Sequence, residues 1–512
     1  MTTTDTTDAT DLPEELLERH RRIAGEVVSE EAYGHLIGGE WVTGDGESAP
    51  ARDATTGERL ATVRRGTARE VDRAVAAAED ALDGAWGNKS PRQRSDLLRE
   101  VAERLDGRDT EIARLDTLEV GKPNMHSLFV DTTVLVETLR YFAALSRTAD
   151  DGRRPPTDAD KHVYTRREPY GVVGCIGAWN FPAMFVAWKL GPALAAGNAV
   201  VYKPSSRASL STLEVARTFD AVLPPGAVNV VTGSGSEVGD ALTRHPDVRK
   251  VSLTGGQAAG QKAMENAAPR AAPVSLELGG KSPVIVFPDA DLESAVESVL
   301  VGIFFNQGQQ CTAGSRLFCH ESIAEEFLER LVERTGELSV GDPLAPTTDI
   351  GPMVDADHAR SVEGYVEEAL AGGATARYRG DVPEDLVAAP YVPPTILTDV
   401  GDDDAVVREE VFGPVLSVME WSDREEVLRR ANDTEYGLAA GVFTDDVETA
   451  HETAAEIEAG TVWVNTYNDL FEPAPHGGVK ASGIGRELSE EALDDYRETK
   501  TVTLSLGESP TL

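Results

Sequence analysis

Beyond Tyr170, short apolar runs alternate with helical stretches in the rhythm of a parallel sheet. VVGCIGAW reads as a buried strand, AMFVAWKLGPALAAG as a helix stopped at Gly197, and NAVVYKP as the next strand. SLSTLEVARTFDAV, VNVVTG, SEVGDALTRH and VRKVSLTG continue helix, strand, helix, strand into the turn Gly255–Gly260. Continuous apolar runs suit strands covered on both faces, so this order predicts a doubly wound parallel sheet. A second α/β series starts at PVIVFPDAD, passes through a helix predicted over Ser294–Gln307 and closes on the strand GTVWVNTY. Ahead of both, Tyr33–Arg64 reads as short strands, and Ala68–Leu82 and Ser90–Leu105 have the spacing of amphipathic helices. TKTVTLSLGE reads as a last strand.

The most apolar stretch runs from Tyr170 through Tyr202. Asn180, Pro182, Lys189, Pro192 and Asn198 interrupt every window long enough to span a bilayer, so it reads as core. At 512 residues and 41% hydrophobic, the chain calls for more than one domain. Asp and Glu total 88 against 48 Lys and Arg, a net charge of -40 spread along the whole chain. That surface repels phosphate backbones and anionic lipid, which argues against nucleic-acid or membrane partners. Diffuse acidity with scarce Lys suits dense salt and suggests a halophilic host. Cys175, Cys311 and Cys319 form no CxxC pair, and the N-terminus lacks the basic and apolar regions of a secretory signal. A reducing, cytoplasmic setting is expected, with no metal site.

Three residues carry candidate chemistry. Cys311, in FFNQGQQCTAGSR, stands in a Gly-flanked polar loop, whereas Cys175 and Cys319 sit in strand-like apolar runs. Glu277, in VSLELGGKSP, is a carboxylate inside an apolar segment: either it escapes to solvent, or desolvation raises its pKa and makes it a base. Asn180, in GAWNFP, follows a strand at the edge where α/β sheets bind ligands; its amide either donates to an oxyanion or caps a turn. Gly255, Gly256 and Gly260 open a helix whose N-terminus suits pyrophosphate, although such turns are common.

PYGVVGCIGAWNFP, the KPS strand end, LTGGxxxG, LELGGKSP, NQGQQCTAGSR, EEVFGPV and GGVKASGIGRE occur in order, and so ordered the chain resembles the aldehyde dehydrogenase superfamily from about residue 35 onward. The spacing from Glu277 to Cys311 is similar as well. The resemblance implies oxidation of an aldehyde to the acid with NAD+ or NADP+, through a thioester on Cys311. Asn180 and the Cys311 backbone N–H would hold the oxyanion, and Glu277 would activate the hydrolytic water. Ile176, Trp179, Lys203, Ser206, Gly235, Gly255, Gly256, Gly260, Glu410 and Phe412 match positions lining the dinucleotide. Gly256 departs from a common Ser. Ser206 stands where NAD+-preferring relatives carry Glu, so NADP+ is expected to be accepted, with Arg207 adding attraction if it points inward. Phe181, Met184, Trp188, Phe305, Gln310, Thr312 and His476 match the aldehyde pocket. His476 replaces a frequent Phe, which suggests a polar substrate or else a rim histidine facing solvent.

The implied fold is α/β: a Rossmann-like cofactor domain, an α/β catalytic domain and a small β oligomerisation element. The expected division is an acidic arm at 1–30, a cofactor domain at 31–145 and 169–280, a catalytic domain at 281–481, and an oligomerisation element at 146–168 and 482–512. A homodimer or homotetramer is expected. Three other readings stand beside this one: a CoA-acylating enzyme, which Glu277 argues against; a semialdehyde dehydrogenase with a polar or acidic substrate; and a catalytically silent relative.

Overall fold

The computed structural model describes residues 12–507; positions 1–11 of the expected acidic arm and residues 508–512 lie outside the described residues. The rest of the arm contains the helix Glu14–Val27, which buries Leu16, Leu17, His20, Ile23 and Val27 along one stripe. No helix among the described residues is long and apolar enough to cross a membrane.

Two sheets organise the molecule. The first has eight strands with a parallel centre, in the order Val274–Glu277, Val248–Thr254, Val172–Ile176, Ala199–Lys203 and Val228–Val230. Antiparallel edges close it: Gly483–Ile484 on one side, His35–Ile37 and Glu40–Val42 on the other. Every residue of Ala199–Lys203 is buried, as a strand covered on both faces requires. The register sets Ile176 opposite Lys203 and Thr254 opposite Glu277. Candidate residues far apart in sequence therefore stand along one carboxyl edge, where open α/β sheets bind ligands.

The second sheet has seven strands: Thr375–Arg379, Thr395–Thr398, Val415–Trp421, Arg316–His320, Pro283–Val286, Ala439–Phe443 and Thr461–Val464. Only Thr375–Arg379 runs antiparallel. Lys161–Pro169 and Arg497–Ser505 form a separate antiparallel ribbon. Asp151 and Arg153 of the expected 146–168 and 482–512 element hydrogen-bond to this ribbon, while other parts of the element lie elsewhere. Residues 146–148 finish the helix Thr132–Thr148, Gly483–Ile484 joins the first sheet, and Ser489–Asp495 packs on Pro182–Ala196.

Several predicted elements end early. The helix expected over Ser294–Gln307 spans Leu292–Phe304, because Asn306 and Gln307 take φ of 51° and 53°, outside any right-handed helix. GTVWVNTY is a strand only over Thr461–Val464, since Asn465 turns the chain at φ 55°. SEVGDALTRH begins as a π-helical turn, Gly235–Gly239, before the short helix Asp240–Arg244.

Candidate active site

The loop carrying Cys311 is fastened at nearly every residue. Asn180 Nδ2 donates to the Gln309 carbonyl (3.0 Å), and Asn306 Nδ2 donates to the carbonyls of Asn180 (3.2 Å) and Gln309 (3.1 Å). Gln307 Nε2 reaches the carbonyls of Gly121 (2.9 Å) and Pro352 (2.8 Å). These bonds hold two left-handed residues where the helix breaks, and such strain persists only when the surroundings over-determine it. An amide nitrogen carries two hydrogens, so Asn180 keeps one beyond its bond to the loop that carries Cys311. Cys311 is half-buried; burial, followed by the charges of Glu410 and Glu277, pushes its thiol up to about 12.

Glu277 is 6% exposed, so it does not escape to solvent. Burial and the neighbouring Glu487 lift its carboxyl well above the usual range, while Lys189 and Arg486 restrain the rise. Lys189 and Glu487 form a fully buried ion pair. Gly477 is obligatory here: with φ 155°, it would carry a Cβ 2.6 Å from Glu277 Oε1. His476 and Glu487 exchange backbone hydrogen bonds of 2.8 and 2.7 Å, which fixes this wall of the site.

Several of the expected dinucleotide residues stand at the carboxyl edge of the first sheet, and their chemistry fits such a group. The helix Gln257–Ala267 starts after Gly255 and Gly256 with no side-chain cap, so its first N–H groups are free for pyrophosphate. A Cβ on Gly235 or Gly256 would meet nothing within 4 Å, whereas Gly260 packs against Leu278. Lys203 Nζ donates to the Pro204 carbonyl (2.9 Å), and burial lowers its pKa to about 8. Ile176 and Lys203 both flank Gly239. Glu410 accepts the Gly280 N–H (3.1 Å) and lies so close to Gly279 that a side chain there would collide with it. Burial lifts Glu410 to about 7, against the Gly280 N–H and Lys281. The rings of Trp179 and Phe412 meet edge to face, with centroids 5.3 Å apart. Ser206 is exposed, while Arg207 lies over Trp179 and pairs with Asp355 at 3.3 Å.

Of the residues expected at the aldehyde pocket, Phe181, Met184, Trp188 and Phe305 pack as one cluster beside His476. Phe305 stacks between His126 and Phe181, and the Lys122 ammonium sits 3.7 Å from the Phe181 ring centroid. His476 is buried rather than on a rim, and burial followed by Arg486 pushes it down to about 4. Gln310 and Thr312 flank the thiol with their side chains engaged by Asn468. Sequence reasoning missed Asn306, Asn468, Gly477 and the Lys189–Glu487 pair. Lys189 alone gave a signal, since a lysine inside AMFVAWKLGPALAAG demands a buried partner.

Residues 41–502 match the model of the aldehyde dehydrogenase family. An NAD+ complex of an aldehyde dehydrogenase from Bacillus cereus is 39% identical, with a TM-score of 0.91 over 94% of this chain and 98% of that one. A betaine aldehyde dehydrogenase from Staphylococcus aureus, also with NAD+, is 35% identical, with a TM-score of 0.92 over 96% and 98%.

Proposed function

The chain belongs to the aldehyde dehydrogenase family and oxidises an aldehyde to the acid with NAD+, and on that premise we propose the route by which its own residues do so. Cys311 Sγ passes its proton to solvent water and attacks the aldehyde carbon as the thiolate, the C–S bond forming as the carbonyl π bond opens to an oxyanion. The resulting oxyanion takes the free Asn180 N–H and the Cys311 backbone N–H; one such donor is typically worth about 3 kcal/mol. Glu410 and Phe412 would hold the nicotinamide ring, which when bound would supply the hydride acceptor. Oxidation leaves a thioester on Cys311. Glu277, buried and of raised pKa, takes a proton from water, which hydrolyses the thioester and frees the acid. The observation that carries this reading is Asn180, tied to the carbonyl of Gln309, two residues before Cys311, with one amide hydrogen left over.

NADP+ is accepted too, because Ser206 presents no carboxylate to a 2′-phosphate. Arg207 adds no attraction in this arrangement, being held by Asp355. The substrate is a polar, uncharged aldehyde. His476 is neutral near pH 7, and its Nδ1 and the neighbouring Trp188 Nε1 are both buried without a hydrogen-bond partner. A carboxylate-bearing semialdehyde would lack a counter-charge: Lys122 pairs with Asp131, Lys189 pairs with Glu487, and Arg486 is turned onto the carbonyls of Gly478 and Gly485. In the ribbon, the carbonyls of Asp151 and Arg153 take N–H groups on the outer edge of Lys161–Pro169, so the edge suited to a second subunit is that of Arg497–Ser505.

One panel tests these points: NAD(P)H absorbance with hydroxyaldehydes, alkyl aldehydes of equal length and an acidic semialdehyde. The wild type is expected to use both cofactors and to favour the hydroxyaldehyde, and Cys311→Ala to be silent. His476→Phe should shift the ranking toward the alkyl aldehyde roughly tenfold or more. Strict rejection of NADP+ removes the cofactor proposal, and an unchanged ranking removes the substrate proposal.

A further inference from the structure

Cys311 is straddled by a residue that the route above leaves without a role. Asn468 lies just past the strand Thr461–Val464, at φ 61°. Its Nδ2 donates to Gln310 Oε1 (2.9 Å), and its Oδ1 accepts from Thr312 Oγ1 (2.9 Å). Gln310 and Thr312 are the chain neighbours of the nucleophile. Beside it, Tyr467 donates its hydroxyl to the Thr312 carbonyl (2.8 Å). The Tyr467 ring fills the space that a Cβ on Gly302, Gly314 or Gly441 would need.

The direction of these bonds is fixed by chemistry. Gln310 Nε2 donates to the Gly302 carbonyl (2.9 Å), which can only accept, and this sets which end of the Gln310 amide faces Asn468. Gln310 Oε1 then demands a donor, so Asn468 must present Nδ2 there and Oδ1 to Thr312. A short amide is the side chain that does both at this reach. Asn also tolerates the left-handed backbone better than most residues. Aspartate would set an anion against Gln310 Oε1, and glycine would suit the backbone while deleting the bridge.

We propose that Asn468 is a positioning residue for the nucleophile, bridging Gln310 and Thr312 so that the Cys311 N–H and Sγ keep one orientation. It acts through its two neighbours. This rests on Cys311 being the nucleophile of the proposed route. Displacing a reacting group by a fraction of an ångström lowers turnover, while the residues expected to bind the cofactor are not among the partners of Asn468.

The test compares Asn468→Gly, Thr312→Val and their double variant with the wild type. Asn468→Gly should lower kcat roughly ten- to hundredfold while KM for NAD+ and Tm stay near wild type. The double variant should lose no more than the worse single variant, because both cut one bridge. Wild-type kcat in Asn468→Gly overturns the proposal, as does a parallel fall of kcat, cofactor affinity and Tm, or additive losses in the double variant. Should Asn468→Gly fail to fold, Thr312→Val and Thr312→Ser decide together: a kcat lowered by Val at unchanged KM for both aldehyde and cofactor, and restored by Ser, supports the bridge, and any other result sinks it. A wild type that reduces no NAD+ with any aldehyde refutes the underlying route instead, so the two failures are distinguishable.

Discussion

Glu277 owes its basicity to its surroundings. Burial and Glu487 make its charged form costly, and Lys189 and Arg486 keep the cost from growing further. A general base works deprotonated, so turnover limited by thioester hydrolysis must rise with pH through this pKa. Lys189→Met removes a restraining charge and strands Glu487. The rising limb of kcat against pH should move to higher pH, and unfolding should become easier by about 3–5 kcal/mol, as when one partner of a buried pair is lost. A limb that stays in place would separate Lys189 from the base. Cys311, Glu277 and Asn180 were legible in the sequence because their types and the ordered motifs around them carry chemistry. Asn306 and Asn468 were not, since their partners are carbonyls and amides that only the folded chain brings near. Arg207 was legible as a charge but not in direction, because its partner Asp355 lies in the other half of the chain.

The helix Glu14–Val27 is more than an acidic arm. Its His20 is 1% exposed and sits between two carboxylates, with Nδ1 2.7 Å from Asp53 and Nε2 3.0 Å from Asp342. Burial alone would lower its pKa; hydrogen bonds to Asp342 and Asp53, with their charges, override that and raise it from 6.5 to about 9. A raised histidine contributes stability fully below its unfolded pKa near 6.5 and loses it as pH climbs through 9. Tm should therefore fall between about pH 6.5 and 9, and His20→Gln should flatten that slope and lower Tm at pH 6. An identical slope in the variant would remove the clasp. The helix itself follows from its apolar spacing, whereas its docking does not, because Asp53 and Asp342 are distant in sequence. Elements with a plain period, such as Ala68–Asp83 and Pro91–Asp106 with their Thr67 and Ser90 capping boxes, match the expected spans to within a residue or so. The helix predicted through Gln307 overran because apolar period carries no trace of the carbonyls that capture Asn306 and Gln307.

Across the whole molecule the acidic excess sets a requirement that no local contact meets. Surface pairs such as Arg330–Glu326 and Arg104–Glu100 are exposed helix-face pairs, each worth about 0–1 kcal/mol, and the excess of 88 acids over 48 bases leaves 40 carboxylates that one-to-one pairing with Lys and Arg cannot reach. A net charge of -40 on a compact body repels itself more than on an unfolded chain, so low ionic strength should favour unfolding. Screening reaches about 30 Å at 0.01 M salt and only about 3 Å at 1 M, so added salt quenches long-range repulsion first. Tm should rise steeply with the first additions of salt and then level off, equally for NaCl and KCl, because screening depends on ionic strength rather than on a specific site. The same salt would weaken the exposed pairs, but these are the smaller quantity, and buried groups such as His20 with Asp53 are screened far less. The pH-dependent fall attributed to His20 should therefore persist at high salt while the low-salt instability disappears. Thermal melts on a grid of pH and ionic strength separate the two; a Tm that falls with added salt would show the surface pairs, not the acidic excess, to be in control.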